Sequence, residues 1–388
     1  MAGKPRALAL CPEAPYPMWG GGALRTASLL NYLGGRYDTD VLLFSDRAGW
    51  DPAAALPSGL AARSGVIPMP EHSRSTAARV LRNARRLAQN VPPLVDRFAG
   101  FENEIADFIH GRYYELAVIE HFWCAHYQPL LREHANRVVL DLHNVESQLH
   151  RRYGQAEGGW QALAHERFAK ACERLERVWL PRFDHLLVTS DVGASLPNAI
   201  VYPNTLPLTP APARDEKERI IFSGNMEYHP NVQAVKWFAA HVWPWLAVRH
   251  PALEWRLAGK NEHAVRSLVS HLPRVHLTGM IEDAAVELAQ ARVAVVPLLS
   301  GSGTRLKILE AWAAGTPVVS TPLGAEGLGE LEDLPLVLAS NGPEIAEAID
   351  GLLTDTGRRS SLASRARELF EQRFTWPAAW ERLRCKGI

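Results

Sequence analysis

The chain has 388 residues, 47% hydrophobic and 22% charged, which is typical of a globular protein and long enough for two domains. Its formal net charge at pH 7 is zero, which argues against a general nucleic-acid binder. The four cysteines form no C-x-x-C pair, so they indicate neither a zinc site nor a disulfide framework and fit a reducing cytosol.

The N-terminus begins with basic residues, and the apolar run Ala7–Cys11 that follows is too short for a signal peptide. This run predicts a first buried strand. Because no run of about 18 apolar residues occurs, we expect no transmembrane helix. The free thiols favour a cytoplasmic protein.

Gly20, Gly21 and Gly22 follow this strand and precede a helix-like apolar pattern. Such a loop can cradle a phosphate, although a glycine run after a strand is often only a flexible turn. The segment is not a P-loop, because no Gly-Lys-Ser/Thr follows, and its glycine spacing is not that of a Rossmann fingerprint.

Short aliphatic runs then alternate with helix-like sequence, which predicts a parallel sheet covered by helices. Ligands of such sheets bind beyond the carboxyl ends of the strands. His121 and His143 each stand at a predicted strand end; we interpret His121 as structural, and His143, between Asp141 and Asn144, as the better candidate site residue. The predicted strands are Asp40–Ser45, Leu116–Phe122, Val138–His143, Leu186–Ser190 and Ile200–Tyr202.

The stretch Arg74–Arg86 is rich in arginine, and Arg79, Arg82 and Arg86 share one face of a predicted helix. It could contact anionic lipid as a peripheral membrane element. A solvated face or the rim of an acceptor site is the interpretation that we prefer.

The proline-rich segment Leu206–Arg214 is the best domain boundary, and a second alternating series follows it. We expect two domains that enclose a ligand-binding cleft. The domains are predicted at 1–205 and 218–374, with a linker at 206–217. The second-domain strands are predicted at Ile220–Phe222, Trp255–Leu257, Val275–Leu277, Val293–Val296, Val318–Ser320 and Leu336–Leu338.

The segment Ser300–Leu328 has the strongest pattern: a small-residue turn, a helix over Arg305–Ala314 and a short strand over Pro317–Thr321. A glycine turn before a helix N-terminus favours an anion, and Arg305 and Lys307 would oppose the helix dipole unless an anion sits there. Glu310 could accept hydrogen bonds from two ribose hydroxyls, or it could simply pair with a nearby arginine.

The sequence GTRLKILEAWAAGTPVVST, with the following LGAEGL, resembles the donor-binding segment of family-4 glycosyltransferases. The resemblance implies an α/β GT-B fold, in which two doubly wound Rossmann-like domains face a central cleft. It also implies that Glu310 holds the donor ribose. Many members have a second glutamate where this chain has Ser302, so the role of that glutamate is not carried over.

Further motifs extend the resemblance over nearly the whole chain, more weakly before residue 140. The resemblance implies donor contacts from the glycine loops, with the base held by backbone after the last of them. Many relatives hold the diphosphate with an Arg and a Lys in the first of these second-domain loops, where this chain has Asn225, Met226 and Glu227. We therefore expect Arg305 and Lys307 to supply that positive charge instead. The residues implied on the donor side are Gly21, Gly22, Gly224, Gly259, Met280, Ile281, Ser302, Gly303 and Thr304.

On the acceptor side, the resemblance implies that His143 lies near the transferred sugar, with His121 and Asn144 as further candidates. It also implies that the C-terminal helix 375–388 packs back on the first domain through Trp376 and Trp380. We therefore expect a retaining, metal-independent hexosyltransferase with no cofactor besides a nucleotide diphosphate sugar, acting on a glycan, lipid-linked or small-molecule acceptor. Two alternatives stay open: a nucleotide-sugar 2-epimerase and a non-catalytic nucleotide-sugar-binding protein.

Overall fold

The structure, a computed structural model, describes residues 3–73, 75–156, 159–190, 194–281, 283–301 and 305–388. Two compact units make up the chain: residues 1–204 with 380–388, and residues 205–379. Within the described residues, no helix is both long and apolar enough to cross a membrane.

The described part of the first unit forms a seven-stranded parallel sheet in the order β3-β2-β1-β4-β5-β6-β7. The strands are β1 (Arg6–Cys11), β2 (Asp38–Ser45), β3 (Arg63–Pro68), β4 (Tyr114–Glu120), β5 (Ala135–Leu142), β6 (His185–Val188) and β7 (Ala199–Val201). The helices are α1 (Gly21–Arg36), α2 (Thr76–Gln89), α3 (Pro93–Arg97), α4 (Glu102–Ile109), α5 (Gln128–Arg132), α6 (Glu146–Ala156) and α7 (Gly159–Trp179).

The central strands of this sheet are buried because helices cover both faces, which is why their sequences are continuous aliphatic runs. All six strands predicted in this part of the chain are confirmed, with shifted ends. The prediction Leu116–Phe122 was too long: β4 ends at Glu120, because His121 takes a left-handed backbone conformation with φ of 63°. The edge strand β3 was missed, since its sequence RSGVIP is short of apolar residues and only partly buried.

Helix α2 confirms that the arginine-rich stretch is helical; Arg74 lies outside the described residues. Ser75 caps its N-terminus by accepting a hydrogen bond from the Ala78 backbone N–H. Arg86 does not lie on the expected solvated face: it is buried, and its Nε donates to Asp96 at 2.7 Å. The salt bridge lets the guanidinium pack inside, which helical spacing alone could not indicate.

The described part of the second unit forms a six-stranded parallel sheet in the order β10-β9-β8-β11-β12-β13. The strands are β8 (Lys217–Ser223), β9 (Glu254–Ala258), β10 (Val275–Gly279), β11 (Ala291–Val296), β12 (Val318–Ser320) and β13 (Val337–Leu338). The helices are α8 (His229–His241), α9 (Trp243–Arg249), α10 (His263–Val269), α11 (Ala284–Ala289), α12 (Leu306–Ala313), α13 (Gly342–Thr354), α14 (Thr356–Arg373) and α15 (Trp376–Arg384), the last of which ends in the first unit.

Every strand predicted for this unit is confirmed. The α/β class with doubly wound parallel sheets is confirmed as well. In the first unit, Trp380 donates a hydrogen bond from its indole Nε1 to the Ser28 carbonyl at 3.1 Å, and its ring lies 6.2 Å from that of Tyr32.

Candidate functional site

Two groups of polar side chains lie at the carboxyl ends of the two sheets, one group in each unit. In the first unit, the loop after β1 brings the N-terminus of α1 against His143. A Cβ added at Gly22 would lie 3.3 Å from Glu13 Oε2 and 3.6 Å from His143 Nδ1. Gly21 begins the helix beside it. Glycine therefore allows the helix start to approach the histidine closely.

Two buried carboxylates lie side by side in this group, because Glu120 and Asp141 are register partners at the ends of β4 and β5. Arg25 of α1 neutralises Asp141: its Nε lies 2.9 and 2.8 Å from the two carboxylate oxygens. Burial alone would raise the pKa of Asp141, but Arg25 and His143 hold it well below its usual range. Thr26 donates its hydroxyl to Glu120 at 3.0 Å, and burial together with Asp141 raises the pKa of Glu120.

His143 completes the network. Its Nε2 lies 2.8 Å from Glu120 Oε2 and 3.4 Å from Asp141 Oδ2. Burial alone would lower the pKa of His143, but the hydrogen bonds and charges of the two carboxylates outweigh it and raise the pKa to about 9. At neutral pH the side chain is therefore an imidazolium, which can stabilise negative charge but cannot act as a general base.

His121 has a different character from its neighbour. Its ring is stacked between His143 and Trp123, with centroid distances of 3.6 and 4.0 Å. Burial and the charge of His143 lower the pKa of His121 to about 4, so it is neutral. Neither of its ring nitrogens has a hydrogen-bond partner among the described residues; a carboxylate oxygen of Glu13 lies 3.6 Å from Nε2.

Two further residues lie next to this network, of which Asn144 is a predicted acceptor-side candidate. Asn144 is half-buried, one residue beyond His143. Glu146 is buried, and its carboxylate accepts a hydrogen bond from the Trp123 indole at 3.0 Å.

Sequence spacing did not indicate any metal-binding cluster, but the fold does bring one possible set together. Glu120, Asp141 and His143 each offer a ligand atom within 4.8 Å of the others. These three ligand atoms fit a metal cation poorly. The guanidinium of Arg25 already pairs with the Asp141 carboxylate, and the imidazole of His143 is protonated. We therefore interpret these residues as an internally paired charge network.

In the second unit, the glycine loops after β8 and β9 touch each other. Gly224 and Gly259 have φ values of 143° and 142°, which L side chains rarely adopt. A Cβ added at Gly259 would lie 1.9 Å from the Gly224 carbonyl oxygen. The Gly259 N–H donates to the Gly279 carbonyl at 2.9 Å, so the loop after β10 joins the same surface. Beyond it, Met280 is 72% exposed and Ile281 is half-buried.

Lys307 of α12 reaches this glycine surface. A Cβ added at Gly224 would lie 2.1 Å from Lys307 Nζ, which also sits 5.3 Å from the centroid of the Phe222 ring. Burial lowers the pKa of Lys307 to about 8; Glu310 opposes this shift and Arg305 adds to it. The ammonium group is therefore poorly solvated and gains more than an exposed lysine would from a bound anion.

Glu310 lies one helical turn after Lys307 and is half-buried. Burial raises the pKa of its carboxyl, and Lys307 partly offsets that rise. The two residues form a partly desolvated pair of opposite charge at the carboxyl end of the sheet, where ligands of doubly wound folds bind.

Arg305 differs from its expected place in the first turn of the helix. It occupies the N-cap position of α12 and is buried. Its Nε donates to the Leu323 carbonyl at 3.1 Å and its Nη2 to the Gly301 carbonyl at 3.2 Å. The guanidinium thus braces the loops on either side of the helix start. Ser302, Gly303 and Thr304 lie outside the described residues.

Sequence reasoning missed Arg25 and Glu13 as members of the first-unit network. Arg25 did leave a signal, because it is a charged residue within the apolar pattern ALRTASLL of α1. Its partner Asp141 is 116 positions away, so no local pattern could connect the two.

Comparison with known proteins identifies the kind of domain that carries the second group. Residues 217–355 match the family described as "Glycosyl transferases group 1". A curated relative, an uncharacterized 44.6 kDa protein in the cps region of Klebsiella pneumoniae, is 26% identical over 130 residues. That match covers 31% of this chain and 34% of the relative, so the chain aligns with about a third of the relative's length.

Several solved structures share the fold over almost the whole chain. Sucrose-phosphate synthase from Thermosynechococcus elongatus has a TM-score of 0.72 at 17% identity and 98% coverage of both chains. Anabaena Alr3699/HepE in complex with UDP and glucose has a TM-score of 0.64 at 17% identity, covering 98% of this chain and 99% of that one. WaaG, a glycosyltransferase involved in lipopolysaccharide biosynthesis, has a TM-score of 0.63 at 14% identity, covering 96% and 98%.

Proposed function

We propose that this chain moves a sugar from a nucleoside diphosphate sugar to an acceptor hydroxyl. Its residues 217–355 match the glycosyl transferases group 1 family, and the chain has the GT-B fold. One observation carries the proposal. Lys307, whose charge interacts with the desolvated Glu310, lies against the glycine surface of Gly224 and Gly259 at the carboxyl end of the second-unit sheet. Charge and backbone exposure of this kind suit a ribose diphosphate.

In the proposed donor complex, Glu310 accepts hydrogen bonds from the ribose hydroxyls. Lys307 holds the diphosphate, and Arg305 keeps the helix start in place for it. Backbone groups of Met280 and Ile281 contact the base. UDP is our first choice of nucleotide, which the HepE complex with UDP and glucose supports.

We assign the donor side to residues 218–374 and the acceptor side to 1–205. On that side His143 would place an imidazolium near the transferred sugar, where it steadies the developing negative charge. The reaction is proposed to retain the anomeric configuration and to need no metal ion. The acceptor attacks from the face that the diphosphate leaves, and a leaving phosphate oxygen takes the proton of the acceptor hydroxyl.

We place the activity in glycan or polysaccharide biosynthesis, which the cps-region relative and WaaG support. A cytoplasmic location is part of the proposal. Peripheral contact with a membrane through the arginine-rich helix α2 is part of the proposal. It is supported by the exposure of Val80 and Leu81, at 61% and 73%, beside the arginines of that helix.

A thermal-shift panel of UDP, GDP, ADP and dTDP tests the donor site, with Glu310→Ala beside the matched control Glu332→Ala. Glu332 is an exposed acidic residue of the same unit. One nucleotide at a hundredfold excess over its Kd should stabilise the wild type and the control by about 2.7 kcal/mol. The Glu310→Ala variant should lose most of that stabilisation. No response to any nucleotide, or an equal response in both variants, would overturn the proposal.

A further inference from the structure

We propose that a basic cavity in the first unit binds a phosphate group carried by the acceptor. The cavity has a volume of about 590 Å³, which is within the range of small-molecule sites. It is formed by the segments after β2 and β3 together with helices α2 and α3. The residues that carry the argument are Asp46, Arg47, Glu71, Arg79, Arg82 and Arg97.

Positive charge dominates this cavity, because four arginines face two carboxylates. Arg97 is already engaged: it donates to the Pro70 carbonyl at 2.7 Å and lies 3.4 Å from Asp46. Arg79 and Arg82 are different, since the side chain of neither forms a hydrogen bond or ion pair with another residue in the described part of the chain.

Arg82 gives the clearest sign of a missing ligand. Its Nε is buried, yet it has no hydrogen-bond partner among the described residues. A buried donor without a partner is costly, and native proteins rarely leave one unless a ligand, ion or water completes it. The free guanidinium of Arg82 and the neighbouring Arg79 therefore provide an unused set of donors inside a cavity.

The arrangement of the arginines favours phosphate. They come from a loop, from α2 and from α3, so their planar donor groups approach from several directions. A phosphate monoester has three terminal oxygens and up to two negative charges, and it can be held by several guanidinium groups at once. The positive charge also acts on His72, which lines the same cavity: desolvation and the charges of Arg97, Arg82 and Arg86 lower its pKa.

The position of the cavity links it to the acceptor, a step that rests on the proposed function. The cavity lies beyond the carboxyl ends of β2 and β3, and the network around His143 lies beyond those of β4 and β5 in the same sheet. Three strand spacings separate β2 from β5, a distance of about 14 Å. An acceptor with its reacting hydroxyl near His143 would thus carry its phosphate a sugar or two away.

The test compares Arg82→Gln with the matched control Arg85→Gln. Arg85 is on the same helix but does not line the cavity; its exposed side chain pairs with Asp96 at 3.0 Å. Binding of inorganic phosphate and of glycerol 3-phosphate to the full chain is followed by phosphorus NMR. Flotation with phosphatidylcholine vesicles, with and without phosphatidic acid, distinguishes a lipid headgroup from a free phosphate.

We expect the wild type and Arg85→Gln to bind the soluble phosphates saturably. Arg82→Gln should bind them about tenfold or more weakly, because it loses a charge-assisted hydrogen bond to the phosphate. Binding only to phosphatidic acid vesicles, with the same selective loss, would support the phosphate site and assign it to a lipid-linked acceptor. Arg82→Gln should fold normally, because the replaced side chain has no hydrogen bond to lose, and Arg82→Lys should restore part of the binding.

The inference is overturned if the wild type binds no phosphate in either form, or if Arg82→Gln and Arg85→Gln bind equally. UDP binding is measured on the same samples. If UDP binds and phosphate does not, the cavity proposal alone fails; if phosphate binds and no nucleotide does, the transferase proposal fails and the cavity stands as an anion site.

Discussion

Replacing Gly259 by alanine tests the contact between the two glycine loops of the second unit. The added Cβ would lie 1.9 Å from the Gly224 carbonyl oxygen, and that atom belongs to backbone that cannot rotate away. The φ of 142° adds strain of about 1–3 kcal/mol, and forced overpacking typically costs about 1–3 kcal/mol more. We therefore expect the unfolding free energy of this unit to fall by about 2–6 kcal/mol.

Gly327→Ala separates the two costs. Gly327 also has a positive φ, of 86°, but nothing lies within 4 Å of its Cβ position, so only the backbone strain applies. Differential scanning calorimetry should place the Tm of Gly259→Ala about 2–12 °C below that of Gly327→Ala, from roughly 2–4 °C per kcal/mol for a unit of this size. Equal Tm values for the two variants would refute the close approach of the loops.

Three other predictions follow from the charged groups. Because the pKa of His143 in the folded protein is raised to about 9, its protonation stabilises the folded state by roughly 3 kcal/mol. This stabilisation is complete below pH 6.5 and is lost as the pH rises through 9. Urea unfolding at different pH values should show the loss, and the unfolding free energy of His143→Gln should depend less on pH. Because the pKa of Lys307 is lowered to about 8, binding of a diphosphate should weaken above pH 8 and should be accompanied there by proton uptake. Titration calorimetry in buffers of different ionisation enthalpy measures the proton uptake, which Lys307→Arg should abolish. Arg25→Met removes the arginine partner of the buried Asp141, which then keeps only His143, and should destabilise the chain by about 3–5 kcal/mol in urea unfolding. The exposed Arg177→Met should have little effect, and equal losses would contradict the pairing.

The sheets were predictable from sequence because buried parallel strands are continuous aliphatic runs. Val318–Ser320 was predicted within one residue of its bounds. The edge strand β3 was not, since RSGVIP gains little from burial and depends on pairing with β2, whose sequence is distant. The end of β4 was misplaced because the positive φ of His121 is a tertiary effect that its neighbours in sequence do not encode.

The candidate site was only partly predictable. His143 and Glu310 carried enough local context to be singled out, and their proposed roles stay predictions. The charge on His143 depends on Glu120 and Asp141, which the pairing of β4 with β5 brings together. It also depends on Arg25, which contacts Asp141 although the two residues are 116 positions apart in the sequence. The bracing role of Arg305 depends on the Leu323 carbonyl 18 residues later. Contacts of this kind arise from the fold and leave no periodic signal.

Release of UDP from UDP-glucose tests the central claim most directly, because slow transfer of the sugar to water needs no knowledge of the acceptor. NMR of the reaction should show UDP and free glucose formed by the wild type and by Glu332→Ala, with the rate strongly reduced in Glu310→Ala. An intact donor would contradict the transferase account, and a new UDP-sugar formed without release of UDP would identify an epimerase instead.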